Sequence, residues 1–308
     1  MTSVKPFSFQ FGGYQNPASI HNQSAALFGR ELGKKLGDAV EFHLEGNITN
    51  LGHQTGDLVP LTESGELTFC YMSTSYFSDK LPPAGVLDLP FIIKDRKTAY
   101  AALDGVLGDR LKEIIQAENP NLRLLAYWDN GFRHFSNRVR PIRTPADCKG
   151  IRIRTLPSEL HGRAYRLLGF DPVALNIMTF VKQIATGDID AQDNPLTNIY
   201  NFGMHKHHRY ITLSGHIFGS VALLCNAKAY DAWPVEVRQA VLEATDVATT
   251  AQRQMAESED TDVLKKLNPE ENEVIHLSKS EREQFVEATR PILEQQRALI
   301  GEDIVSLL

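Results

Sequence analysis

The sequence predicts an α/β fold in two lobes, on three observations. Apolar strand-like runs alternate with helical patterns from the amino terminus onward, which is the grammar of sheets flanked by helices. The chain has 308 residues, room for two domains of ordinary size, yet no linker divides it. A helical pattern from Pro234 to about Leu267 has no internal proline and is longer than one compact domain needs. A chain that crosses between two lobes several times, with one helix lying across both, accounts for all three.

The elements follow in order. Phe7, Phe9 and Phe11 alternate with polar residues as a first strand, and Gly12-Gly13-Tyr14-Gln15-Asn16-Pro17 turns the chain. Ser19 caps a helix with Phe28, Leu32 and Leu36 on its inner face and Gly37 as its stop. Val40, Phe42 and Leu44 alternate with Glu41, His43 and Glu45 in a second strand. Residues 67–72 form a short apolar run suited to a buried parallel strand, followed by Ser73-Thr74-Ser75-Tyr76. The spacing of Leu103, Leu107, Leu111 and Ile114 predicts one helix over 99–115. Residues 122–128 read as another buried strand and 151–155 as a short alternating one.

Ser158 then caps a helix closed by Gly169, and a short helix over 179–185 stops at Gly187. Residues 188–196 are rich in short polar groups and read as a loop, whereas 210–213 and 219–226 read as two strands. A last helix covers 280–300, with Pro291 marking a kink or break.

Residues 131–157 stand out by charge. They carry Arg133, Arg138, Arg140, Arg143, Arg152, Arg154 and Lys149 against one acid, Asp147, in a chain of net charge −6. Period-two alternation puts Arg152 and Arg154 on one strand face and Ile151 and Ile153 on the other. A guanidinium is a planar fork that matches a carboxylate bidentately, so forks converging after strand ends make an anion receptor. The plainer reading is a solvated basic surface with the arginine stems lying flat.

Composition narrows the class. Apolar residues at 42% and charged residues at 23% describe a soluble protein with a full core. The acidic balance argues against nucleic acid as a partner. No apolar run reaches the roughly 18 residues that a membrane-crossing helix needs. Dinucleotide, P-loop, HExxH and GxSxG motifs are absent. His205, His207 and His208 read as a solvated turn rather than a metal site, and His134 and His216 as structural histidines. Asp188, Asp190 and Asp193 lack the spacing of a calcium loop. Cys70, Cys148 and Cys225 fit neither a disulfide framework nor a zinc site. No cofactor and no metal are expected. The start, MTSVKPFSFQFGG, has no apolar signal-peptide core. Read literally it means cytoplasm; the alternative is an exported protein whose signal has been replaced by Met.

Several short elements recur together: Leu51-Gly52, Leu89-Pro90-Phe91, Asn130-Gly131-Phe132-Arg133, Arg140-Pro141-Ile142, Pro145-Ala146-Asp147, Lys149-Gly150-Ile151-Arg152-Ile153-Arg154, Asp190-Ala191-Gln192-Asp193-Asn194-Pro195-Leu196 and Gly215-His216. In this order the chain resembles, from about residue 7 to 300, the DctP-type substrate-binding proteins of TRAP (tripartite ATP-independent periplasmic) transporters. The resemblance implies a periplasmic-binding-protein-like fold, with a ligand cleft between two lobes and a long helix spanning both. It divides the chain into 1–130 with 220–258 and 131–219 with 259–308. It implies a monomeric periplasmic receptor, its export signal removed, that closes around a small organic acid and delivers it to the membrane permease subunits. The acid expected is a sugar acid or a hydroxy or keto carboxylate.

By resemblance, Arg154 matches the arginine that salt-bridges the ligand carboxylate, Arg133 a second cleft arginine and Asn194 an amide that also reaches it. Ser73 and Tyr14 fall at cleft positions of the first lobe, His216 close to the pocket, and Ile177 where a cleft aromatic is common. Ser73, Thr74, Tyr14 and Gln15 are expected to serve a polar ligand tail. The family's Asp-Gly-Gln-Glu-Asn-Pro is here Asp-Ala-Gln-Asp-Asn-Pro, and its Glu-Val-Tyr is Thr179-Phe180-Val181, so the substrate does not carry over. Arg154 is expected to be solvated in an open cleft, so that its removal spares folding. The competing function is an enzyme acting on a small hydroxy acid, with His216 as base and Arg154 as anchor, but no nucleophile–base pair is visible in the sequence.

Overall fold

Phenylalanine alternation, a serine cap and a glycine stop produce β1 (Phe7–Gly12), α1 (Ile20–Leu36) and β2 (Val40–Glu45), and Ser19 accepts the Asn22 N–H as the N-cap. The computed structural model describes residues 6–308. Next come α2 (Leu58–Ser64), β3 (Phe69–Ser73), α3 (Arg96–Leu103), α4 (Val106–Glu118) and β4 (Leu122–Asn137). The middle of the chain forms β5 (Arg152–Thr155), α5 (Glu159–Leu167), β6 (Asp171–Ala174), α6 (Ile177–Gln183), β7 (Ala191–Pro195) and α7 (Leu196–Asn201). The remainder is β8 (Tyr210–Asn226), α8 (Ala227–Ala232), α9 (Val235–Lys266), β9 (Glu273–His276), α10 (Lys279–Ile300) and α11 (Glu302–Val305).

Four readings change. The helix expected over 99–115 is two helices, broken at Asp104-Gly105, a pair of weak helix formers. The polar loop over 188–196 contains strand β7, because pairing with β4 and β5 supplies backbone partners that local composition does not reveal. The two strands after residue 210 are one, β8, whose polar Ser214 and His216 are buried. Helix α10 is not broken at Pro291, and Phe285, Ile292 and Ile300 lie on its buried face. Strands β6 and β9 carry no strong sequence signal.

The chain forms two compact units. The first comprises residues 6–73, 112–129 and 221–257, and the second 74–111, 130–220 and 258–308. Strands β4 and β8 and helix α9 each contribute to both. Residues 74–111, which the sequence division keeps in the first lobe, group with the second unit.

In the first unit β1 runs parallel to both β2 and β3, and β3 pairs antiparallel with the last part of β8. Its core is aromatic: Phe69 meets Phe9, Phe28 and Trp233 at ring separations of 5.5, 5.0 and 5.8 Å. Gln252 on α9 clamps the Asp129 backbone, donating to its carbonyl at 2.6 Å and accepting its N–H at 2.8 Å. Gln252→Leu removes both bonds at a fully buried position, and should cost about 1–3 kcal/mol, measured as a lower urea midpoint.

In the second unit β7 pairs antiparallel with β4 and parallel with β5, β5 pairs with β6, and β9 lines the start of β8. One core gathers Ile177, Phe180, Ile184, Ile199, Met204 and Val263. Another packs Phe135 against Tyr165, Phe170 and Phe285 in edge-on and tilted contacts.

Candidate functional site

The arginine-rich stretch becomes intelligible through its partners, most of them aspartates of the segment read as a loop. Arg138 bonds Asp190 at 3.1 Å, and Arg152, exposed, donates to the Asp188 carbonyl at 2.6 Å. Arg140 donates to the carbonyls of Asp147 and Lys149, and Arg143 reaches Glu281 at 3.4 Å. Arg133 is gripped twice by Asp193, through a side-chain oxygen and through the backbone carbonyl at 2.7 Å. In all five a terminal nitrogen is engaged.

Arg154 differs. Although both lie on one face of β5, Arg152 at its start is exposed, while Arg154, only 2% exposed, is among the largest fully buried side chains. Its Nε donates to the Leu175 carbonyl at 2.7 Å. Among the described residues no acceptor bonds its two terminal nitrogens, and no acid pairs with it. Burial pulls the guanidinium down to about 10, so it is still charged at neutral pH; Tyr76 and Asp193 act against that pull and Arg133 adds to it. The expectation of a solvated Arg154 is therefore corrected: the side chain is buried, with the Leu175 carbonyl, just after β6, bonded to its Nε.

Register sorts the other groups. Arg154 lies opposite Gln192, so Arg154, Gln192 and Asn194 share a sheet face, while Arg133, Phe135 and Asp193 share the other. Asn194 is buried in a chain of amides: its Nδ2 donates to Gln192 Oε1 at 2.5 Å, and Gln192 Nε2 donates to Ser136 Oγ at 2.5 Å. Ser136 in turn meets His208 Nδ1 at 2.9 Å, which explains one member of the histidine trio. His205 stacks on Tyr200 at 4.5 Å.

His216 is buried. Its Nδ1 lies 2.7 Å from Ser214 Oγ, its Nε2 lies 3.3 Å from the Tyr165 hydroxyl and 3.7 Å from Asp193 Oδ2, and its ring stacks on Phe135 at 4.1 Å. Burial lowers its pKa, so the imidazole is neutral at pH 7, although Asp193 pulls the other way. Burial alone would raise the Asp193 carboxyl, but the Arg133 charge and hydrogen bonds from His216 and Arg133 hold it well below the usual range. His134 is structural as expected, accepting the Gly215 N–H at 3.0 Å.

The first unit holds the remaining candidates. Tyr14 and Gln15 donate their N–H groups to the Tyr71 hydroxyl at 3.3 and 3.2 Å, and that hydroxyl donates to Asn22 at 3.0 Å. Gly13 makes the approach possible, since a Cβ there would lie 2.7 Å from the Tyr71 hydroxyl and 2.8 Å from the Gly46 carbonyl. The Gln15 side chain is 1% exposed, and neither amide atom has a partner among the described residues. Ser73 ends β3, opposite Val221. Thr74, the first residue of the second unit, is already engaged, with its hydroxyl 2.6 Å from that of Ser220.

The structure thus couples Arg133 and His216 through Asp193 on one sheet face of the second unit, puts Arg154 and Asn194 on the other, and joins Tyr14 to Gln15 in the first. Ile177 stands apart, in the apolar core around α6. Sequence reasoning missed Asp193 as counter-ion of Arg133, although the acid was visible in Asp-Ala-Gln-Asp-Asn-Pro. It also left out Tyr76, a buried phenol within the field of both arginines, whose signal was its place just after the end of β3.

Comparison with known proteins adds three relatives and a family. The family model DctP, described as bacterial extracellular solute-binding protein, family 7, matches residues 11–298. The 2,3-diketo-L-gulonate-binding periplasmic protein YiaO of Escherichia coli is 26% identical over 75% of this chain and 72% of its own length. The crystal structure of the sugar acid binding protein DctPAm from Advenella mimigardefordensis, in complex with galactonate, has a TM-score of 0.93 at 27% identity, over 99% of this chain and 97% of that one. A TRAP periplasmic solute binding protein from Sulfurospirillum deleyianum, with bound succinate, shares the fold at a TM-score of 0.92 and 24% identity, over 98% of both chains.

Proposed function

The chain belongs to the DctP family of bacterial extracellular solute-binding proteins, and on that premise we propose that it is the periplasmic receptor of a TRAP transporter for a small organic acid. The acid is a sugar acid or a hydroxy or keto carboxylate, which the receptor hands to the membrane permease subunits as a monomer. One observation carries the carboxylate: of the six arginines in residues 131–157, Arg154 alone among the described residues keeps its terminal fork unbonded, and it does so while buried. A buried guanidinium without an acid is costly, and a ligand carboxylate supplies the missing partner in bidentate geometry. Asn194 lies on the same sheet face, and the Nδ2 hydrogen not held by Gln192 is the amide proposed for the carboxylate. Ser73, Tyr14 and Gln15 are the polar groups proposed for the ligand tail, and the unpartnered Gln15 amide supports that role.

The enzyme reading is weaker. His216 has both ring nitrogens close to protein groups, Ser214, Tyr165 and Asp193, so it is not poised to take a proton from a ligand. Among the described residues no helix is long and apolar enough to cross a membrane, and in this reading membrane passage is left to the permease.

A thermal-shift panel tests the proposal. Aldonates, uronates and 2-hydroxy and 2-keto acids should raise the melting temperature, by the equivalent of about 2.7 kcal/mol at a hundredfold excess over Kd, and should be recovered unchanged. Stabilisation by amines or neutral sugars alone is the result that refutes it.

A further inference from the structure

We infer that His21 and Gln15, in the first unit, form a hydroxyl-recognising pair, so that the ligand is an acid whose tail carries hydroxyl groups. The inference rests on the carboxylate-receptor reading and concerns which of the acids in that reading the protein takes.

His21 lies in the first turn of α1 and, like Gln15, is 1% exposed. Neither ring nitrogen of His21 and neither amide atom of Gln15 has a hydrogen-bond partner among the described residues. Buried polar atoms are nearly always bonded, so two adjacent side chains that break the rule need an explanation. Tyr71 holds the two residues together. Its hydroxyl accepts the Gln15 N–H at 3.2 Å, and its ring stacks on that of His21 at 5.4 Å. Asn22, next to His21 in the chain, donates to the Gln15 carbonyl at 3.0 Å and accepts from the Tyr71 hydroxyl at 3.0 Å. These contacts use the Gln15 backbone and the His21 ring face, and leave the polar atoms of both side chains unused.

The chemistry of those atoms names the group that suits them. Burial pulls the His21 pKa down to about 4; the Asp129 carbonyl, which accepts Gln252 Nε2 at 2.6 Å, works the other way. The imidazole is therefore neutral at pH 7, with one N–H and one bare nitrogen, and the Gln15 amide likewise has donors and an acceptor. A keto oxygen or a carboxylate only accepts, and leaves the bare nitrogen and the amide oxygen unpaired. An ammonium only donates, and leaves the N–H groups unpaired. A hydroxyl does both. An analogue without it strands buried polar atoms of the receptor, which is the main source of discrimination at sites built to hydrogen-bond a hydroxyl.

Calorimetry on the native protein and His21→Phe tests this, since phenylalanine keeps a ring on Tyr71 and deletes both nitrogens. The probes are galactonate, its monodeoxy derivatives, hexanoate and 2-ketoglutarate. Native protein should bind galactonate at least about tenfold tighter than hexanoate or 2-ketoglutarate. His21→Phe should weaken galactonate at least about tenfold, and should weaken at least one monodeoxy derivative by about threefold less than that. Equal weakening of galactonate and every derivative would give His21 a role in the fold alone and overturn the inference, as would galactonate affinity within about threefold of native. Native protein that binds hexanoate or 2-ketoglutarate as tightly as galactonate also overturns it, and leaves the receptor reading standing. If His21→Phe fails to fold, Gln15→Met on the same probes decides by the same criteria. If no probe binds the native protein, the receptor reading fails, and the inference with it.

Discussion

Arg154→Ala is expected to weaken carboxylate binding by about two to three and a half orders of magnitude. The partner left behind is a desolvated carboxylate, and breaking a buried charge pair costs roughly 3–5 kcal/mol, which converts to that range of affinity. Arg154→Lys should also be damaging, because an ammonium keeps the charge but loses the planar fork. Arg138→Ala and Arg143→Ala serve as controls from the same basic stretch. Their pairs with Asp190 and Glu281 are partly exposed, and such pairs contribute about 0–1 kcal/mol to stability and nothing to the site. Ligand-free Arg154→Ala should fold with a melting temperature equal to or above that of the native protein, because it removes a buried charge that burial penalises. Calorimetric titration of the four variants with galactonate reads the binding arm. Affinity within about threefold of native for Arg154→Ala, a loss of only ~0.7 kcal/mol, would mean that the carboxylate is held elsewhere.

Asp193→Ala should act on the fold instead, lowering stability by about 3–5 kcal/mol, because Arg133 is left buried without its acid. The contrast is the informative part: removing one buried arginine spares the fold, and removing the acid beside the other does not. The pair also fixes a pH dependence. The folded carboxyl of Asp193 lies well below the usual value, against about 3.9 in an unfolded chain. Its contribution is therefore complete above the unfolded value and is lost as pH falls through it towards the folded one. Native protein should lose stability progressively below about pH 4, and Asp193→Ala should lose less over the same interval. Urea unfolding of both proteins at neutral pH and near pH 3 measures the difference. Parallel losses would show that other carboxylates dominate acid unfolding.

Much of the fold was legible because its signals are local. The alternating phenylalanines of β1, the serine caps at Ser19 and Ser158 and the uninterrupted pattern of α9 each depend on residues within a few positions of one another. The strand that carries Arg154 was legible in the same way, from alternation over residues 151–155. What local chemistry obscured was strand pairing. The segment Ala191–Pro195 is polar, contains Asn and Pro, and reads as a loop; it is a strand because β4 and β5 lie on either side of it.

The sequence by itself determined that this is an α/β chain with a basic stretch over residues 131–157, because periodicity and residue chemistry need no partner to be read. It also placed Arg154 on a strand beside Arg152. Which of the arginines keeps a free fork was decided only by the tertiary structure. Aspartates tens of residues away in sequence return on β7 and just before it, to neutralise Arg133 and Arg138 and to offer Arg152 a backbone carbonyl, while Arg154 is buried with no acid to meet it. Counter-ions act through space, and their pairing follows strand register, which no single stretch of sequence contains.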